Sequence, residues 1–125
     1  MQIKVYYEDT DTGGVVYHSN YLNFCERARS EAFFNIGMTP ELENGHFVAR
    51  KLTAQYYKSA KLGDVLEVKN ELKKMKAASF EILQTIYKDS QKIFELDITL
   101  AYITFEGKPQ KLDADTKDLV ISLFE

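Results

Sequence analysis

Alternation of apolar and polar residues predicts four long strands in the second half of the chain. The extended runs are residues 47–59, 64–73, 78–88 and 92–105. From Phe94 to Tyr102 every second residue is apolar, and this period of two buries one face of a sheet. The connectors are short, as is typical of antiparallel neighbours. Residues 2–8 alternate as well and predict a first strand.

A helical period appears between residues 19 and 37, where apolar residues recur three and four positions apart. This spacing predicts one helix of roughly 17 residues, about 25 Å long. Ser19 or Asn20 can cap its start, and Gly37 suits its end. The apolar stripe consists of Tyr21, Leu22, Cys25, Ala28, Ala32, Phe33 and Ile36.

The chain ends in a second predicted helix, residues 113–125, which packs through Leu119, Val120 and Leu123. Together the elements predict one α+β domain spanning residues 1–125, with an antiparallel sheet of about five strands against one long helix. One helix cannot cover a sheet of that width, and open sheet edges favour pairing with another chain. We therefore expect at least a dimer.

The composition is typical of a globular protein, with 45% hydrophobic and 28% charged residues. A net charge of −3 gives no general attraction for nucleic acid or an acidic membrane. The sequence contains no run of the ~20 apolar residues that span a membrane and no signal-peptide pattern. The single cysteine, Cys25, excludes an internal disulfide and favours a reducing compartment. A cytoplasmic protein without membrane insertion is expected.

Candidate chemistry is concentrated in residues 6–21, YYEDTDTGGVVYHSNY. If the long helix begins near Ser19, the unpaired N–H groups of its first turn face the loop that carries Asp9 and Asp11. A carbonyl held there would be polarised, and a carboxylate could attack it or take a proton from water. This suits a thioester, because a thiol with a pKa of about 8.5 can leave without an acid. Turn and capping roles also explain both aspartates and are the commoner use of such a loop.

Other kinds of site receive less support from the residues. The two histidines, His18 and His46, have no metal-ligand spacing with each other or with Cys25, so no metal is expected. A calcium-loop spacing from Asp9 to Asn20 lacks the final glutamate. Cys25 lies on the apolar stripe, where a thiol acts as a small core residue. Neither a P-loop nor a G-x-G-x-x-G motif occurs.

The same stretch resembles the signature of the YbgC-like branch of the 4-hydroxybenzoyl-CoA thioesterase family, the hotdog-fold acyl-CoA thioesterases. The family pattern is roughly Y-x-D-T-D-x-x-G-V-V-Y-H-x-x-Y, and the sequence ERAR follows it at residues 26–29. The resemblance is strongest in residues 5–31 and implies a curved antiparallel sheet of about five strands wrapped around one long helix. The matched residues are Tyr7, Asp9, Thr10, Asp11, Gly14, Val15, Val16, Tyr17, His18 and Tyr21.

The resemblance implies hydrolysis of an acyl-CoA or acyl-carrier-protein thioester to a free acid and a thiol. Asp11 would be the nucleophile or general base. Main-chain N–H groups near Tyr17 and His18 would polarise the carbonyl, and the His18 side chain would orient substrate or water. Coenzyme A would be part of the substrate, so no separate cofactor is expected. Further substrate contacts are expected at Tyr7, Gly14, Val16, Tyr57 and Lys58.

The resemblance also implies a homodimer or homotetramer with the acyl pocket at the subunit interface, and acyl carrier protein is a further candidate partner. Two other functions stay open at this point. A non-catalytic acyl-thioester binding module would bind without releasing thiol, and a hydratase or dehydratase would act on an enoyl double bond. The acyl group is not specified, because pocket depth depends on strand side chains such as Tyr56, Tyr57, Phe80 and Ile82.

Overall fold

The computed structural model describes all 125 residues, in one five-stranded sheet and two α-helices. A single 3₁₀ turn, Tyr7–Asp9, follows the first strand. No helix is long and apolar enough to cross a membrane. The elements are β1 (Gln2–Lys4), α1 (Asn20–Phe34), β2 (His46–Tyr56), β3 (Val65–Met75), β4 (Ser79–Lys88), β5 (Gln91–Ile103) and α2 (Ala114–Phe124).

The sheet is antiparallel throughout, with strand order β1-β3-β4-β5-β2. The register shifts within three of the four pairs, and such bulges bend strands and increase their twist. Along β5 the predicted alternation is confirmed, because every second side chain from Phe94 to Tyr102 is buried. Strand β2, with eleven residues, is an open edge.

Helix α1 lies against the buried face of the sheet and supplies much of the core. Its buried residues repeat at helical spacing because that face alone packs on the sheet. Compared with the predicted stripe, Phe24 joins it and Ile36 lies beyond the helix end and is exposed, while Leu22 and Ala32 are only partly buried. The buried residues of α1 are Tyr21, Phe24, Cys25, Ala28 and Phe33.

A buried polar network fixes α1 to the middle of the sheet. The amide nitrogen of Gln84, on β4, donates to the Cys25 carbonyl (2.9 Å) and to Oδ1 of Asn70 on β3 (2.8 Å). Its amide oxygen accepts from Nη1 of Arg29 (2.8 Å). Gln84 is completely buried, yet each of its polar atoms has a partner.

The end of the first predicted strand and the predicted cap of the long helix differ from the structure. The first strand stops at Lys4 instead of residue 8, because the 3₁₀ turn bends the chain away from the sheet. Ser19 precedes α1, but its side chain makes no capping hydrogen bond. Helix α2 packs through Val120 as predicted, with Leu119 and Leu123 partly buried.

Candidate active site

A narrow hairpin-like loop presents Asp11. The Asp11 N–H donates to the Val15 carbonyl (2.9 Å), and Gly14, at φ +80°, closes the turn in a backbone region that favours glycine. Oδ1 of Asp11 accepts from the Gly13 N–H (2.8 Å), whereas Oδ2 has no partner. The side chain is exposed and forms no ion pair. The Asp11 carboxylate is therefore held by one oxygen and free at the other.

Asp9 has a different role, because it is 6% exposed and holds the junction between loop and helix. Its carbonyl accepts from the Tyr17 N–H (2.9 Å) and from the Asn20 side-chain amide (2.9 Å). Its Oδ2 accepts from the Tyr6 N–H (2.9 Å). The turn and capping interpretation of an Asp-x-Asp loop thus describes Asp9.

Only one of the two main-chain donors expected at the helix start is available. The Tyr17 N–H is already bonded to Asp9, which corrects the expectation that it would polarise a carbonyl. The His18 N–H has no acceptor. A hydrogen bond from the Asn20 N–H to the Tyr17 carbonyl (2.9 Å) makes His18 the second residue of a tight turn leading into α1.

A cleft of about 280 Å³ lies beside this turn and contains both Asp11 and His18. Three of the expected substrate contacts, Val16, Tyr57 and Lys58, also line it. Two do not: Tyr7 is 83% exposed outside the cleft, and Gly14 lies at the loop tip. The complete lining is Asp11, Val15, Val16, His18, Tyr21, Tyr56, Tyr57, Lys58 and Ser59.

Tyr56 joins the end of β2 to the turn at His18. Its hydroxyl donates to the His18 carbonyl (2.8 Å), and its ring packs edge-on against Phe94 (5.0 Å between centroids). Burial raises the pKa of Tyr56, which favours the protonated hydroxyl that this bond requires. The sequence placed Tyr56 in the pocket wall but gave no sign of this bond, because the two residues are distant in the chain.

Two lysines lie in or near the cleft, and only one of them is paired with an acid. Lys58 lines the cleft and belongs to no ion pair. Lys92 lies over the Tyr57 ring (5.3 Å) and pairs with Glu95 (3.0 Å), a hydrogen bond that raises the pKa of the Lys92 ammonium. Lys58 is therefore the lining cation that is free to meet an anionic group.

Comparison with protein families shows which family the chain belongs to. The model of the Thioesterase superfamily matches residues 13–95. The chain belongs to the Thioesterase superfamily. This assignment confirms the family resemblance of the loop and helix start.

The chain is similar to curated proteins that carry the name acyl-CoA thioesterase YbgC. The protein from Helicobacter pylori is 49% identical over 87 residues, which are 70% of this chain and 65% of that protein. The protein from Haemophilus influenzae is 37% identical over 105 residues, 81% of this chain and 77% of that protein. The chain thus matches slightly less than two thirds of the length of the Helicobacter relative.

A solved structure shows the superfamily fold directly. A probable thioesterase from Bartonella henselae superposes with a TM-score of 0.83 at 31% identity, covering 90% of this chain and 97% of that one. The α+β hotdog fold expected from the sequence is confirmed by this likeness and by the five-stranded sheet packed on α1.

Proposed function

We propose that the protein hydrolyses acyl-CoA thioesters, with Asp11 as the catalytic carboxylate. The observation that carries the proposal is a cleft lined both by Asp11, whose carboxylate has one free oxygen, and by His18, whose N–H is unpaired. The relatives named acyl-CoA thioesterase support the same reaction.

The proposed chemistry begins with the thioester carbonyl oxygen accepting from the His18 N–H, aided by the positive end of the α1 dipole. Asp11 then attacks the carbonyl carbon, the C–S bond breaks and the thiolate leaves. Water hydrolyses the resulting mixed anhydride and restores the carboxylate. In the alternative order Asp11 takes a proton from water, which attacks the carbonyl directly. Both orders give the free acid and the thiol, and neither uses a cofactor apart from the coenzyme A carried by the substrate.

The surroundings of the cleft suggest roles for three further groups. The His18 side chain would orient substrate or water at the cleft rim, and Tyr57 would contact the acyl-thioester arm. Lys58, the free cation, would meet a phosphate of coenzyme A or of acyl carrier protein. A cytoplasmic location and acyl carrier protein as a partner stay predictions.

Replacement of Asp11 by asparagine tests the proposal. The asparagine side chain can still accept from the Gly13 N–H through its amide oxygen, so Asp11→Asn should keep the wild-type unfolding temperature. Turnover should fall by about 10² to 10⁴-fold, because the amide is neither a base nor a nucleophile. The rate of thiol release from a panel of acyl-CoAs, followed with a thiol-reactive dye, measures this loss.

Asp118→Asn is the matched control, since Asp118 is an exposed carboxylate on α2. Full activity of Asp11→Asn would remove the carboxylate from the mechanism. Stoichiometric acyl-CoA binding by the wild type without thiol release would instead identify a binding module.

A further inference from the structure

A second cavity, of about 270 Å³, lies between α1 and the β2 side of the sheet. Four phenylalanine rings form much of its wall: Phe33, Phe47, Phe80 and Phe124. Two charged side chains from α1, Glu26 and Arg29, also line it. This mixture of aromatic walls and a few polar groups is typical of a small-molecule site.

Arg29 is the unusual residue of this cavity. Its guanidinium donates to one neutral acceptor, Gln84 Oε1 (2.8 Å), and pairs with no carboxylate within 4.0 Å. Burial lowers the pKa of Arg29, whose surroundings therefore solvate the charge poorly. Arg29 is partly buried, and a cation withdrawn from water in this way is normally paired with an anion. A guanidinium carries five N–H donors. The Arg29 donors that Gln84 leaves free are thus suited to a bound anion.

One face of β2 runs from this cavity to the cleft that contains Asp11. Phe47 and Ala49 line the cavity, and Tyr56 lines the cleft. Leu52 and Ala54 lie between them on the same face, because they stand opposite buried residues of β5. Leu52 is 44% exposed, so the surface between the cavity and the cleft is open to an acyl chain.

The distance along α1 suits an acyl chain of medium length. Arg29 follows Asn20, the first residue of α1, by nine residues, which corresponds to about 14 Å along the helix axis, and His18 lies in the turn just before that start. Side chains of a helix point back towards its N-terminus, which shortens the gap between the guanidinium and the turn at His18. A chain held by its thioester at His18 can therefore bring its far end to Arg29.

From this geometry we propose that Arg29 is a specificity-determining residue that binds the distal carboxylate of an ω-carboxyacyl thioester. The proposal rests on the proposed function, since it assumes that the thioester carbonyl sits between Asp11 and the His18 N–H. The carboxylate accepts charge-assisted hydrogen bonds from the N–H groups of Arg29 that Gln84 leaves free. Glu26, the exposed acid at the same cavity, opposes an anion and limits the preference.

Two thioesters that differ only at the far end test the proposal: octanedioyl-CoA, which carries a terminal carboxylate, and octanoyl-CoA. The wild type should hydrolyse octanedioyl-CoA with the higher kcat/KM, by about tenfold, the worth of one charge-assisted hydrogen bond. Arg29→Met should raise KM for octanedioyl-CoA and leave octanoyl-CoA nearly unchanged. Arg27→Met, on the exposed face of the same helix, should change neither. Glu26→Gln should prefer octanedioyl-CoA over octanoyl-CoA more strongly than the wild type does.

The outcomes separate this inference from the proposed function. Hydrolysis of neither substrate would contradict the thioesterase itself. Hydrolysis of both at equal kcat/KM by the wild type would overturn the role of Arg29 alone. An equal loss on both substrates in a folded Arg29→Met protein would make Arg29 a structural residue of the Gln84 network. If Arg29→Met does not fold, thermal unfolding of the wild type decides: octanedioic acid should raise the midpoint more than octanoic acid, and equal shifts would refute the proposal.

Discussion

At the scale of single residues, two aspartates two positions apart have opposite environments. Asp9 is buried and bonded through its carbonyl and carboxylate, whereas Asp11 is exposed with one free oxygen. Physical reasoning from the sequence offered both a turn role and a catalytic role for the two aspartates, and it did not show which residue has which role. The division depends on the hydrogen bonds from Tyr6, Tyr17 and Asn20, which no local pattern encodes.

His18 allows its main-chain and side-chain contributions to be measured separately. His18→Ala keeps the N–H and removes only the side chain that would orient substrate or water, so it should lose less activity than a variant without the N–H. His18→Pro removes the N–H, and proline is compatible with the second position of the turn. We expect kcat of His18→Pro to fall by about 10² to 10³-fold, the usual cost of one oxyanion donor.

Thiol-release kinetics of both His18 variants, with circular dichroism to check folding, give the comparison. Equal activity of the folded proline and alanine variants would contradict the role of the main-chain donor. A large loss in His18→Ala would instead assign the main contribution to the imidazole.

At the scale of elements, the position of α1 depends on a contact that hydrophobic periodicity does not reveal. Strand alternation and the helical stripe predicted the sheet and the long helix, because both report burial of one face. Gln84 breaks the apolar pattern inside β4, yet it is completely buried and binds Arg29, Asn70 and the Cys25 carbonyl. A buried amide of this kind is set by the three-dimensional packing of α1, β3 and β4, so the sequence did not predict it.

Removal of this amide should loosen the helix from the sheet. Gln84→Leu leaves the Arg29 guanidinium and the side-chain oxygen of Asn70 without their partner, and we expect the free energy of unfolding to fall by about 2 to 3 kcal/mol. Urea denaturation measures the change. Gln91→Leu, at the exposed start of β5, is the control and should stay near the wild type. Coincident unfolding curves for the two variants would show that the network adds no net stability.

At the scale of the whole molecule, the sheet is unprotected on its β2 side. The opposite edge, β1, has only three residues, whereas β2 offers eleven residues of free edge. Long exposed edges favour pairing with a second chain, and exposed apolar residues of β2 such as Leu52 would be covered by the same contact. We therefore propose that two copies associate through β2.

Charge placed on β2 should prevent this association. Leu52→Glu brings two carboxylates into the proposed interface, so the variant should sediment as one copy where the wild type sediments as two. Leu62→Glu introduces the same charge in an exposed turn before β3 and should leave the wild-type state unchanged. A wild type that sediments as a single copy at micromolar concentration would refute pairing through β2.

The burial of Cys25 has a practical consequence for the kinetic experiments. Burial raises the pKa of this thiol, the only one in the chain, to about 12. A maleimide or disulfide reagent reacts with thiolate, and at neutral pH the folded protein offers almost none. The colour that develops in such a reaction mixture therefore counts released coenzyme A, with no background from the enzyme itself.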